Sequence, residues 1–126
     1  MKYAGARKYL LHKPEAFEDF PFGPDVAVMK VCGRMFATLS REKGIANMNL
    51  KCEPAEALIL RDIFPAVLPG YHMNKTHWNT VVLDGSIPQG EIERMIDNSY
   101  ALVVRKLPAG PRRGLEARNG SQALYG

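Results

Sequence analysis

The sequence predicts a two-layer α+β domain with a mostly antiparallel sheet. Three observations carry that reading. Strand-like runs follow one another directly instead of alternating with helices, helical segments stand before, between and after these runs, and 126 residues suit one hydrophobic core. The predicted order is α-β-β-β-α-β-β-α, that is α-β(3)-α-β(2)-α.

The first helix runs from about Ala4 to His12 and stops ahead of Pro14, because proline disfavours helical geometry in the residue before it. Pro21, Gly23 and Pro24 make Phe17 to Asp25 irregular, with Phe17, Phe20 and Phe22 expected to tuck against the core. Val26 to Cys32 and Met35 to Ser40 are β-rich runs whose Gly33-Arg34 junction signals a hairpin. Arg41 to Asn47 reads as a polar loop and Met48 to Cys52 as a third strand. In that strand Met48, Leu50 and Cys52 alternate with Asn49 and Lys51, the pattern of a sheet with one buried face.

Pro54 opens a second helix that Pro65 ends, with Ala57, Leu60 and Phe64 on one stripe. Pro65 to Met73 leads back to the sheet through a short edge strand, and Trp78 to Asp84 is the last strand. After the Asp84-Gly85 turn, Ser86 is placed to cap the final helix, with Pro88 in its first turn. Ile92, Ile96, Tyr100, Val103 and Leu107 step along one face of that helix, and its charge order, acidic early and basic late, suits the helix dipole. From Pro108 onward Gly, Pro and polar residues dominate and no hydrophobic period survives. The expectation is therefore a folded domain over 1–107 and a disordered basic tail over 108–126.

No apolar run approaches the roughly 20 residues of a membrane span. Only Tyr9-Leu10-Leu11 separates the basic N-terminus from His12, too little for a signal-peptide core. The expectation is a cytoplasmic monomer without membrane contact. Cys32 and Cys52 form no C-x-x-C pair and read as small hydrophobes in a reducing compartment, not as a disulfide. The formal net charge is +4, half of it in the tail, where Arg112, Arg113 and Arg118 outnumber Glu116. The body therefore carries a mild basic excess and no concentrated basic stripe.

Glycine-rich phosphate loops, nucleophile elbows and H-E-x-x-H zinc motifs are all missing, and no carboxylate pair is set apart as an acid/base couple. One cluster stands out. Tyr71 to Thr80 holds His72 and His77, the single tryptophan Trp78, Asn74, Asn79 and Lys75. Zinc would need more ligands than two histidines, and a histidine base would need an orienting acid, for which Asp84 is the nearest choice. Polar and π recognition fits better: an aromatic stacking surface, a lysine for phosphate and amides for hydrogen bonding. The same residue types also build tight turns around a core tryptophan, so both readings stand. Neither a cofactor nor a metal is expected. A two-layer fold leaves one sheet face bare, where Asn49, Lys51, Trp78 and Thr80 should lie, joined by Lys30, Phe36 and Thr38.

Leu11 to Pro14, Phe20 to Asp25, Val28 to Ala37, Asn49 to Cys52, the block Pro-Gly-Tyr-His-Met-Asn-Lys-x-His-Trp at 69–78, Leu83 to Gly85 and Ser99-Tyr100 resemble the MmcQ/YjbR-like family. The likeness covers about Leu10 to Leu107. It implies a fold like that of CyaY and the type III secretion chaperones, a bacterial cytosolic setting, and DNA binding through a proposed double-wing arrangement. Arg34 stands where the family usually has lysine, which keeps the charge and changes the contact geometry. The expected DNA-contacting residues are Lys30, Arg34, Lys51, Tyr71, His72, Asn74, Lys75, His77 and Trp78, with no catalytic residue. The alternatives are a chaperone-like module that binds protein or peptide, and an enzyme acting on a small molecule in a pocket where His72 or His77 faces Asp84.

Overall fold

Five helices and six strands make up the computed structural model, which describes residues 1–126. Helix α1 (Tyr3–Leu11) is followed by strands β1 (Phe17–Asp19), β2 (Ala27–Val31), β3 (Arg34–Glu42) and β4 (Ile45–Lys51). Helix α2 (Pro54–Ile63), strands β5 (Val67–Pro69) and β6 (Trp78–Val82) and helix α3 (Gln89–Arg105) come next, and α4 (Ala109–Asn119) and α5 (Ser121–Tyr125) close the chain. The sheet runs β1-β2-β3-β4-β6-β5, and every neighbouring pair is antiparallel.

Two tight turns set the register of the central strands. Cys32 and Gly33 have φ of 49° and 76°, and Lys43 and Gly44 have 52° and 80°. Two central residues with positive φ make the type I′ hairpin turn, whose twist matches that of the strands it joins. The first turn therefore lies one residue earlier than Gly33-Arg34. The segment read as a loop over Arg41 to Asn47 is mostly strand, with only Lys43-Gly44 turning. Cys32, expected as a strand-end hydrophobe, is an exposed turn residue, whereas Cys52 is half-buried; both are free thiols.

Alternation along β4 puts Ala46, Met48 and Leu50 against the helices and leaves Asn47, Asn49 and Lys51 on the other face. Phe36 departs from the open-face expectation. Met29 pairs with Ala37 but Lys30 pairs with Met35, so Phe36 is the extra residue of a β-bulge. The bulge turns its ring into the core, where it meets Tyr100 edge-on at 5.2 Å. Ser99 of α3 locks this spot: its hydroxyl donates to the Phe36 carbonyl at 2.6 Å and accepts the Lys51 N–H at 2.8 Å. Tyr100 donates to the Pro14 carbonyl at 2.7 Å, tying the end of the first helical segment to α3.

Three further expectations are corrected. Phe17 to Asp19 form the edge strand β1, and Phe17, Phe20 and Phe22 are exposed instead of tucked in. Ser86 does not cap α3, because Pro88 occupies that position and the Ser86 N–H and hydroxyl both donate to the Asp84 carboxylate. The tail expected to be disordered is helical. Leu115 and Leu124 are buried, and Arg118 and Asn119 both donate to Glu15, more than a hundred residues upstream. Tyr125 adds a hydrogen bond to Glu116 and stacks beneath the Arg105 guanidinium. No helix is long and apolar enough to cross a membrane.

Candidate functional site

The segment from Gly70 to His77 wraps the end of the sheet at the β5–β6 connection. It starts over the open face. The Tyr71 N–H donates to the Thr80 hydroxyl at 2.9 Å, Thr80 donates to the Asn49 side-chain oxygen at 2.6 Å, and the Asn49 amide reaches the Tyr71 carbonyl at 3.4 Å. Its far end is held from the helix side. Arg61 of α2 donates to the Asn79 side-chain oxygen at 2.7 Å, to the Trp78 carbonyl at 3.3 Å and to the Lys75 carbonyl. Asn79, 2 % exposed, completes the clasp by donating to the Ala57 carbonyl.

The geometry divides the segment between scaffold and contact surface. Gly70 is scaffold: a Cβ there would stand 2.8 Å from the Trp78 Cβ and 2.9 Å from its carbonyl oxygen, closer than real contacts allow. Asn74 is also scaffold, since its side-chain oxygen accepts the Thr76 N–H at 2.9 Å, the Asx-turn geometry. Tyr71, His72 and Lys75 are exposed, and His77 and Trp78 are half-buried. The Tyr71 and His72 rings lie 4.0 Å apart, with His72 held at φ 59°.

Lys51 lies directly across from Trp78 on the open face, and the next residue, Cys52, donates its N–H to the His77 carbonyl at 2.8 Å. Burial, then the neighbouring charges of Lys106 and Arg34, hold the Lys51 ammonium below its ordinary lysine value. Arg34 and Lys106 thus neighbour Lys51 at this end of the sheet, with Glu53 as the nearby acid, and none of the three cations forms a salt bridge.

Lys30 does not belong to this group. It lies two strands away on β2 and is bound to Asp19 at 2.7 Å, where its charge, with the Phe20 N–H, holds the Asp19 carboxyl below its ordinary value. Sequence reasoning had no partner for Lys30, because Asp19 sits in a stretch that looked irregular. It also missed Arg61 and Lys106. Arg61 did carry a signal, since an arginine four residues after buried Ala57 falls on the inward stripe of α2.

Neither His72 nor His77 forms an ion pair with Asp84, whose Oδ1 accepts the Ser86 N–H and hydroxyl. No three His, Cys, Asp or Glu side chains gather into a metal-ligating group. A groove of about 650 Å³ between α1 and the start of α3 contains no residue of the 69–85 segment.

A family model described as YjbR matches residues 11–102. The uncharacterised protein YbdF of Escherichia coli O157:H7 is 36% identical over 99 residues, spanning 79% of this chain and 81% of that protein. The uncharacterised protein YjbR of Escherichia coli K12 is 34% identical over 106 residues, spanning 84% and 90%. Among solved structures, Deinococcus radiodurans protein DR2400, a DUF419 domain, aligns with a TM-score of 0.84 at 32% identity, covering 91% of this chain and 88% of that one.

Proposed function

The chain belongs to the YjbR family, and on that premise we propose that it is a non-catalytic DNA-binding protein which grips the phosphate backbone at one end of its open sheet face. The observation that supports this reading is the convergence of Arg34, Lys51 and Lys106, none of them in a salt bridge although Glu53 stands near Lys51, beside Trp78 and the exposed Lys75. Cations left without a salt bridge gain from a phosphate, because the anion relieves their mutual repulsion, and Lys51, the partly buried one, gains most. Trp78, Tyr71 and His72 would pack against sugar or base, while Asn74 shapes the turn. Lys30, already neutralised by Asp19, contributes little to the contact.

Duplex binding measured across salt tests this. Affinity should fall steeply between about 50 and 200 mM salt, and each lost phosphate contact should lower the slope of log K against log salt by about one. Arg34→Ala, Lys51→Ala and Lys75→Ala should each do so, and Lys30→Ala should not. A salt-independent affinity, or one indifferent to the first three changes, would sink the proposal.

A second reading has its own observation. The outer face of α2 exposes Leu58, Ile59 and Ile63. An apolar docking patch need not lie on the open sheet face. This patch lies on α2 instead, so peptide binding would use a different surface from the DNA contact. Charge changes there, such as Ile59→Glu, would separate the two readings by leaving DNA affinity intact.

A further inference from the structure

We propose that the groove between α1 and the start of α3 is a second binding site, for a small phosphorylated molecule, independent of the DNA contact. Its volume of about 650 Å³ falls in the usual range of small-molecule sites. Helix α1 and its leading residue contribute Lys2, Gly5, Lys8 and His12, and α3 contributes Gln89 and Glu93. The α1 positions recur at spacings of three and four, so they form one stripe, while Ala6 and Leu10 on the adjoining stripe are buried in the core.

Of the lysines that line the groove, only Lys13 is spent on an acid. The Asp97 carboxylate accepts the Tyr9 hydroxyl at 2.9 and 3.1 Å and the Lys13 ammonium at 3.0 Å, so this acid and Lys13 satisfy each other at the groove wall. Glu93 is engaged with the Gln89 amide at 3.2 Å. Lys2 and Lys8 form no salt bridge. Two free ammonium groups and an imidazole on one wall suit phosphate oxygens. The Tyr9 ring, the lysine stems and the Gln89 amide suit the organic remainder.

Gly5 is the second, separate observation. Glycine inside a helix costs about 1 kcal/mol relative to alanine. Packing does not require it here: a Cβ would meet only the Met1 Cγ, at an ordinary 3.6 Å. What the missing side chain does is keep the groove open along its α1 wall. An amphipathic helix without a ligand would gain by filling that position.

The test is a titration of the full chain, followed residue by residue by NMR, with ADP, pyrophosphate and, as a control without phosphate, adenosine. ADP and pyrophosphate should move the amide signals of residues 2–13 and of Gln89 and Gly90, with a Kd for ADP below about 1 mM. The Lys2→Ala/Lys8→Ala double variant should bind at least about tenfold more weakly. Gly5→Leu should block the organic part, and Lys51→Ala/Lys75→Ala should bind as the parent does. Both lysines are on the surface, so the double variant should fold normally even if Gly5→Leu does not. Shifts with ADP but not with a 5′-phosphorylated oligonucleotide assign a free metabolite, and shifts with both extend the site to nucleic-acid ends. Three outcomes overturn the proposal: no groove shifts with either phosphate, equal binding by adenosine, or shifts gathered around Lys51 and Lys75. The last of these would leave the DNA reading standing.

Discussion

The two faces of the sheet are made by the same strands but are held by different forces. On the covered face Met29, Leu39, Met48, Leu50 and Val81 meet the helices, and burial of apolar surface does the work. On the open face Ser40, Asn47, Asn49 and Thr80 are tied by directional hydrogen bonds, and charge accumulates where those bonds end, at Lys51. One residue breaks the division. Asn79 points to the helix side, yet it is polar, buried and clasped by Arg61. The covered face thus stabilises the fold everywhere except at the point where it must also reach around the sheet and hold the Lys75–Trp78 backbone. The difference explains how a surface can keep unpaired cations: the stability is generated on the other side.

Adjacent positions on β4 give the sharpest way to break this comparison. Met48→Ala should cost about 2–5 kcal/mol in denaturant unfolding, and Asn47→Ala less than about 1, although the two residues are neighbours in sequence. Similar costs at both positions would refute the division of labour. Gly70→Ala should follow at about 1–3 kcal/mol, because its Cβ would collide with the Trp78 backbone, which cannot retreat. Arg61→Ala should cost about 1–3 kcal/mol by orphaning Asn79, and should speed amide exchange at residues 74–78. Arg61→Lys should restore only part of this, since an ammonium cannot reproduce a fork that serves three acceptors. Unchanged exchange in Arg61→Ala would mean that the loop holds itself. Thr80→Val, which removes the acceptor of the Tyr71 N–H, should cost about 1 kcal/mol.

The covered face was legible in the sequence because hydrophobic alternation is local: Met48 and Leu50 announce it within five residues. The α+β class followed from that alternation and from the stripe Ile92, Ile96, Tyr100, which is buried in the structure. The C-terminal helices were not legible. Leu115 and Leu124 are isolated among glycine, proline and charge, and what fixes them lies far away, in Glu15 and in α3. The site was half legible. Residue types marked Lys51, Lys75 and Trp78, but no local pattern separates Asn74 as turn builder from Lys75 as exposed contact, or shows that Lys30 is already paired. Those distinctions are made by partners on other strands. The bulge that turns Phe36 inward is likewise a property of two strands together.

The smallest stability effect is the most informative about function. Lys51→Met should change stability by no more than about 0.5 kcal/mol, because the side chain keeps its stem over the sheet and loses a charge that its surroundings disfavour. The sign can be checked against pH. The folded value of Lys51 lies below the ordinary 10.5. Between the two values the unfolded chain binds more protons than the folded one, so stability rises with pH there. Lys51→Met should remove that rise, while duplex binding drops and its salt slope falls by about one. Bound phosphate should act in the opposite direction and raise the proton affinity of Lys51, because linkage is reciprocal. If the variant instead loses stability and binding together, Lys51 is a packing residue, and the open face would resemble the covered one more closely than its charges suggest.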